Sequence, residues 1–225
     1  MGIRYEEVLG KVRVLGFDKG FTANDLKIAG IVDGKPVTEI ADNAFSLTNI
    51  SSIYLPATIE IVGRHAFENC KNLTSVSVGD IEQEVADVLT IRKDAFNGCS
   101  NLSSVNAWSD IVSVECYAFA NCKSLSFVTM GIINLGEYAF HNCPQLYSLD
   151  FEEGAVLQEN CLNDCGVEKI RTISNITVHP NTLKQIKDKN VKIYCVSESN
   201  LVNLAYEGYY VEIYPEYEEL VLLGH

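Results

Sequence analysis

Apolar and polar positions along this chain recur in blocks of about 22 residues, and the same few columns hold the apolar residues in each block. The pair Ala-Phe stands at Ala44-Phe45, Ala66-Phe67, Ala95-Phe96, Ala118-Phe119 and Ala139-Phe140, and Cys161-Leu162 continues it. Successive copies are 22, 29, 23, 21 and 22 residues apart. Three residues after each pair come Cys70, Cys99, Cys122, Cys143 and Cys165, with Thr48 in the first copy. The segments ISSIYL, LTSVSV, LSSVNA, LSFVTM, LYSLDF and VEKIRT follow, with apolar residues at relative positions 1, 4 and usually 6. That alternation is the period of a strand buried on one face. Ahead of each pair, VTEI, IEIV, VLTI, IVSV, IINL and AVLQ predict a second strand. Each block thus predicts a strand, a turn with a short helical or 3₁₀ segment, and a strand.

A unit of this length cannot close a core alone, so neighbours must stack and bury their Phe, Cys and Leu/Val columns together. The pattern I-x-x-A-F-x-x-C-x-x-L-x-x-V resembles the BspA-type leucine-rich repeat, a family of bacterial and protist surface proteins. The segments ENCKNLTSVSV and NGCSNLSSVNA fit most closely, and the likeness runs over six copies from about Val37 to Ile173. The expected fold class is α/β and strand-rich: a leucine-rich repeat solenoid of about six repeats with terminal caps, forming one continuous structural domain. The resemblance implies an N-terminal cap over residues 1–36 ending in the turn Asp33 to Pro36, and a repeat array over 37–178. It also implies a C-terminal cap and tail over 179–225, with a strand at Val191 to Val196 and a helix near Ser199 to Tyr206.

With 225 residues, 47% of them hydrophobic, the chain can bury a core and is expected to be ordered. Its 17 basic and 30 acidic residues give a net charge of -13, which repels phosphate backbones and anionic lipid. Nucleic acid is therefore not an expected partner. No apolar run approaches the roughly 18 to 20 residues needed to span a bilayer, so membrane insertion is not expected either. The opening MGIRYEEVLGKVRV carries no long apolar stretch of the signal-peptide kind. A cell-surface or secreted location is expected from the family resemblance alone.

Five of the eight cysteines share one phase of the repeat. Residues stacked in a column are about 4.8 Å apart with parallel Cβ vectors, whereas a disulfide draws its Cβ atoms to about 3.8 Å pointing toward each other. The column therefore predicts a ladder of buried, reduced thiols, which behave as small hydrophobes. Cys116, Cys161 and Cys195 lie outside it, and any reactive thiol is expected at Cys116 or Cys195. The chain has no Cys-x-x-Cys or His-x-x-x-His pair, so no zinc site is expected.

His65, His141, His179 and His225 belong to no recognisable catalytic motif, and His65 reads as a solvated repeat position shared with Asn43, Asp94, Tyr117 and Tyr138. No dinucleotide, P-loop or nucleophile-elbow pattern occurs, so neither enzyme activity nor a cofactor is expected. The long interval between Phe67 and Phe96 inserts about seven residues near GDIEQEVADVL, with Asp80, Glu82, Glu84 and Asp87. The insert reads first as a solvated acidic bulge and second as a calcium loop, for which it lacks the glycine and the bidentate glutamate.

With Val76 and Val78 inward, alternation puts outward the pairs Ser52 and Tyr54, Ser75 and Ser77, Ser104 and Asn106, Phe127 and Thr129, Ser148 and Asp150, Lys169 and Arg171. Most are small and polar, as on any solvated sheet face. Candidate partner-binding residues on and beside this face are Tyr54, Ser77, Asn106, Trp108, Phe127, Thr129, Asp150 and Arg171. Trp108 occupies a place held by Pro56, Gly79, Gly131 and Glu152 in sister copies, and reads equally as a binding hot spot or as peripheral core. The expected function is a non-enzymatic module for protein binding or adhesion. A structural or intracellular scaffold and a carbohydrate-binding surface are the alternatives.

Overall fold

A computed structural model describes residues 2–79, 88–107, 112–196 and 199–214. In these residues the repeat becomes a β-solenoid whose copies each give one strand to each of two sheets. The strands before the corners stack in the order Lys11–Phe17, Lys35–Ile40, Ile61–Val62, Leu89–Ile91, Val112–Val114, Ile132–Leu135 and Ser148–Leu157. The strands after them stack as Asp25–Lys27, Ser52–Leu55, Ser75–Val78, Ser104–Ala107 and Phe127–Thr129. All of these pair in parallel, and Ile53, Val76, Val105 and Val128 face one another across the second sheet. The strand Ser148–Leu157 runs through both: its first half pairs with Lys169–Thr172 and its second with Ile132–Leu135. Lys192–Val196 and Val211–Tyr214 continue the stack, again in parallel.

The Ala-Phe corners contain no helical or 3₁₀ segment, contrary to the sequence expectation. They are successive turns whose amide donors alternate. Ala66, Glu68 and Cys70 donate to carbonyls three residues back, while His65, Phe67 and Asn69 donate to Lys93, Ala95 and Asn97 of the next copy. The following corner does the same, with Ala95, Asn97 and Cys99 bonding locally and Asp94, Phe96 and Gly98 bonding onward. A helix would turn every donor inward, and this alternation keeps half of them for stacking. It needs a left-handed residue at every fourth place: φ is +54° at His65 and +56° at Asn69, then +58° at Asp94 and +77° at Gly98. A Cβ at Gly98 would lie 2.4 Å from Asn69 Oδ1, so a side chain there would push the Asn69 amide aside.

Phe45, Phe67, Phe96, Phe119 and Phe140 form one buried column, with ring centroids 5.4, 5.1, 5.1 and 5.4 Å apart and planes within 8° of parallel. The step from Phe67 to Phe96 matches its neighbours, so the inserted residues leave the stack intact. The insert itself, including Asp80, Glu82, Glu84 and Asp87 and the calcium reading placed on them, lies outside the described residues.

All eight cysteines are free, and the five of the column are buried. The thiols of Cys70, Cys99, Cys122 and Cys143 donate to the carbonyl of the Phe one copy back (Phe45, Phe67, Phe96 and Phe119) at 3.0 to 3.2 Å. Burial pushes Cys122 well up, and Cys143 up to about 12. Cys99 is raised by the Cys70 thiol beside it and by burial. Cys195 is fully buried, which corrects its reading as a reactive position, while Cys116 is partly exposed.

Beyond the last corner, a helix at Pro180–Asp188 takes the corner's place, an element the repeat pattern did not predict. Its Thr182 and Ile186 are buried, and Thr182 Oγ1 donates to the Gln158 carbonyl at 2.7 Å. His179 caps its first turn through Nδ1, and Pro180 occupies the helix start, where its missing N–H is no loss. The predicted exit strand is Lys192–Val196, and the predicted helix after it is a 3₁₀ helix at Asn200–Glu207.

Candidate binding surface

Each strand of the second sheet alternates inward and outward as the sequence required. Ile53, Leu55, Val76, Val78, Val105, Ala107, Val128 and Leu149 are buried, and the residues between them face out. Parallel register turns the outward residues into two rows. One runs Asp25, Ser52, Ser75, Ser104 and Phe127, then Ser148, Lys169 and Lys192. The other runs Lys27, Tyr54, Ser77, Asn106 and Thr129, then Asp150, Arg171, Tyr194 and Glu212. Just before the strands, Thr74, Ser103 and Ser126 each donate a hydroxyl to the carbonyl of the equivalent residue one copy back, at 2.9, 2.9 and 3.3 Å.

Several candidate residues are engaged within the face. Tyr54 is half-buried, donates its hydroxyl to the Gly79 carbonyl at 2.7 Å, and carries the Lys27 ammonium 4.9 Å above its ring. Thr129 Oγ1 donates to Asn106 Oδ1 at 2.6 Å, and Ser77 Oγ lies 3.5 Å from the Ile53 carbonyl. Arg171 donates from Nε and Nη2 to the two carboxylate oxygens of Asp150, both at 2.6 Å, the bidentate fork that fixes both side chains. Phe127 differs from all of these: its side chain is 68% exposed. Trp108 lies outside the described residues.

The repeat pattern missed a group of rings and lysines at the C-terminal end of the face. Tyr147, 45% exposed, lies under the Lys169 ammonium at 5.1 Å, and the Tyr194 ring is 5.9 Å from the same ammonium. Lys192 stands 5.5 Å above Tyr210, which is 53% exposed. Tyr214 stacks beside Tyr194 at 6.3 Å, and its phenol is raised to about 12 because it donates to the Glu212 carboxylate. The signal in sequence was the phase of KIY in VKIYCV, which repeats that of KIR in VEKIRT and puts Lys192 and Tyr194 on the outward side.

Two histidines are engaged at the corners. His65 Nδ1 is 3.1 Å from Glu68 Oε2, and His141 Nδ1 is 3.1 Å from Asn163 Nδ2. Among the described residues, no three His, Cys, Asp or Glu side chains are grouped to hold a metal ion, and no helix is long and apolar enough to cross a membrane.

The family model described as "BspA type Leucine rich repeat region (6 copies)" matches residues 38–87 and 80–189. No curated protein matches the chain in sequence. Among solved structures, the T. pallidum leucine rich repeat protein is 22% identical over 76% of this chain and 83% of that one, with a TM-score of 0.50. A leucine-rich repeat protein from Bacteroides ovatus ATCC 8483 is 18% identical over 95% of this chain and 76% of that one, at a TM-score of 0.46. Another from Bacteroides capillosus ATCC 29799 is 22% identical over 57% of this chain and 94% of that one, at 0.45. At 22% identity the likeness to the T. pallidum protein is one of fold.

Proposed function

The chain belongs to the leucine-rich repeat family through its match to the BspA type repeat region, and from that premise we propose that it is a non-enzymatic protein-binding module acting in adhesion. Its contact surface is the outward side of the second sheet, and its place is the cell surface or the medium outside the cell. One observation carries this reading: Phe127 stands 68% exposed on the last strand of the second sheet, whose inward residues are buried. A large ring held in water on a rigid strand loses little conformational freedom when a partner covers it, and such residues dominate binding energies.

The test is binding of the purified chain to immobilised extracellular-matrix proteins, with a glycan array run in parallel. Phe127→Ser is expected to weaken capture of a matrix protein about tenfold or more, the loss of one hot spot, at unchanged melting temperature. Binding indifferent to Phe127→Ser and to Asn106→Lys would remove the face from the mechanism. Binding to glycans alone would replace the protein ligand by a carbohydrate.

A further inference from the structure

The outward face changes character along its length, and its C-terminal half points to a ligand chemistry. Ser52, Ser75, Ser77, Ser104 and Asn106 line the first half beside the single pair of Lys27 and Tyr54, whereas Phe127, Tyr147, Lys169, Lys192, Tyr194 and Tyr210 lie in the second. We propose that this ring-and-lysine half holds an extended acidic segment of the protein partner, with carboxylates over Lys169 and Lys192 and a bulky apolar side chain at either end. The proposal rests on the binding role given to this face and specifies what the face takes.

Charge is the first support. In a chain of net charge -13, residues 166–196 hold six basic side chains against the acids Glu168 and Asp188. Four of the six are elsewhere or engaged. Arg171 is paired to Asp150, Lys187 and Lys189 donate to backbone carbonyls, and Lys184 lies on the helix Pro180–Asp188. Lys169 and Lys192 instead lie over rings and, among the described residues, are in no ion pair. They are the positive charges that the C-terminal half of the face can offer to a ligand, as Lys27 over Tyr54 is at the other end.

Dimensions are the second. Phe127–Thr129 lies beside the first half of Ser148–Leu157, and from there Lys169, Lys192 and Tyr210 follow strand by strand. Counting about 4.8 Å for each step, including the one from Phe127–Thr129 to Ser148–Leu157, which touch without pairing, Lys169 and Lys192 stand roughly 10 and 14 Å from Phe127, and Tyr210 roughly 19 Å. An extended peptide places same-side residues about 6.7 Å apart, so side chains 1, 3, 5 and 7 fall at about 0, 7, 13 and 20 Å. One extended strand of about seven residues covers the length of this strip. Asp150, Glu168 and Glu212 border it, and with the net negative charge they repel a densely charged polyanion, so an acidic peptide is favoured over a sulfated glycan.

The experiment uses fluorescence anisotropy with the full chain and a labelled peptide Trp-Ser-Glu-Thr-Glu-Ser-Trp. Its comparators are Trp-Ser-Lys-Thr-Lys-Ser-Trp and a heparin oligosaccharide. The acidic peptide is expected to bind at least about tenfold more tightly than the basic one. The double variant Lys169→Gln/Lys192→Gln and, separately, Phe127→Ser should each weaken it about tenfold, while Lys184→Gln, on the helix Pro180–Asp188 away from the face, leaves it unchanged. Equal binding of the two peptides, indifference to the lysine variants, or binding of the oligosaccharide alone would overturn the proposal. If the acidic peptide fails while matrix-protein capture still depends on Phe127, only the ligand chemistry falls. If no substitution on the face matters to either probe, the face itself is wrong.

Discussion

The Phe column of the corners and the outward row of the second sheet are built alike, with one residue per copy and the copies in parallel register. Yet the column repeats its residue at Phe45, Phe67, Phe96, Phe119 and Phe140, while the row runs Ser52, Ser75, Ser104, Phe127, Ser148, Lys169. Inside the stack each ring is the wall of its neighbour's site, so a different shape at one copy leaves a void or a clash in two others. On the outside a side chain meets its row neighbours and solvent, and it can change at little cost. In a solenoid the repeated residues therefore describe the fold, and the departures from repetition mark where function is sought.

Removing a ring from the middle of the column is the largest effect this contrast implies. Phe96→Ala deletes a fully buried ring stacked at 5.1 Å on both sides, and is expected to cost about 3 to 5 kcal/mol by urea unfolding. A loss under about 1 kcal/mol would mean that the column can collapse and that its regularity is not structurally required.

The thiol column gives the next effect and a pH dependence. Burial raises Cys143 and Cys161 to about 12, from an ordinary value near 9. Below about pH 9 both folded and unfolded chains keep these thiols protonated, and their contribution is fully present. Above it the unfolded chain ionises first, so each raised thiol should cost about 1.4 kcal/mol of stability per pH unit until the folded value is reached. Urea midpoints under reductant are expected to fall from pH 9 to 10.5, and more gently in Cys143→Ala. Native-state labelling at pH 7.5 should modify Cys116 quickly and the seven buried thiols slowly. Fast labelling of Cys195 would contradict its burial.

Much of this was legible before any coordinates. The columns, both strands of each copy and the inward or outward sense of the paired residues on the strands from Ser52–Leu55 to Lys169–Thr172 follow from period and alternation, because a one-residue slip would expose a whole buried row. The corner geometry was not, since its left-handed places hold Asn and Gly in some copies but Leu47, His65, Tyr117 and Tyr138 in others, and these hide the turn signal. The helix Pro180–Asp188 escaped because only Thr182 and Ile186 bury, too few to show a 3.6-residue period. The lysine and tyrosine cluster escaped because it is assembled from Tyr147, Lys169, Lys192, Tyr194 and Tyr210, three of which lie past the last recognisable copy. Tyr54 read as an open aromatic, but Lys27 and the Gly79 carbonyl occupy it.

A smaller effect separates the outward residues that hold each other from those that do not. Arg171→Ala breaks the bidentate pair with Asp150, whose side chains are 22% and 39% exposed, and should cost about 0.5 to 1 kcal/mol, less in high salt. A larger loss, of the size expected in the core, would make the pair part of the stack and not a feature of its surface.

Phe127→Ser should do least to stability and most to recognition. The ring is 68% exposed, so little apolar area leaves water when the chain folds, and serine already stands at the equivalent place in four other copies: Ser52, Ser75, Ser104 and Ser148. The urea midpoint is expected to stay within the equivalent of about 0.5 kcal/mol of the parent. A chain that kept its stability but lost its partner would show that this departure from the repeat serves binding. A chain that lost stability as Phe96→Ala does would place Phe127 with the structural rings, and would move the search for the contact to Tyr147 and Tyr210.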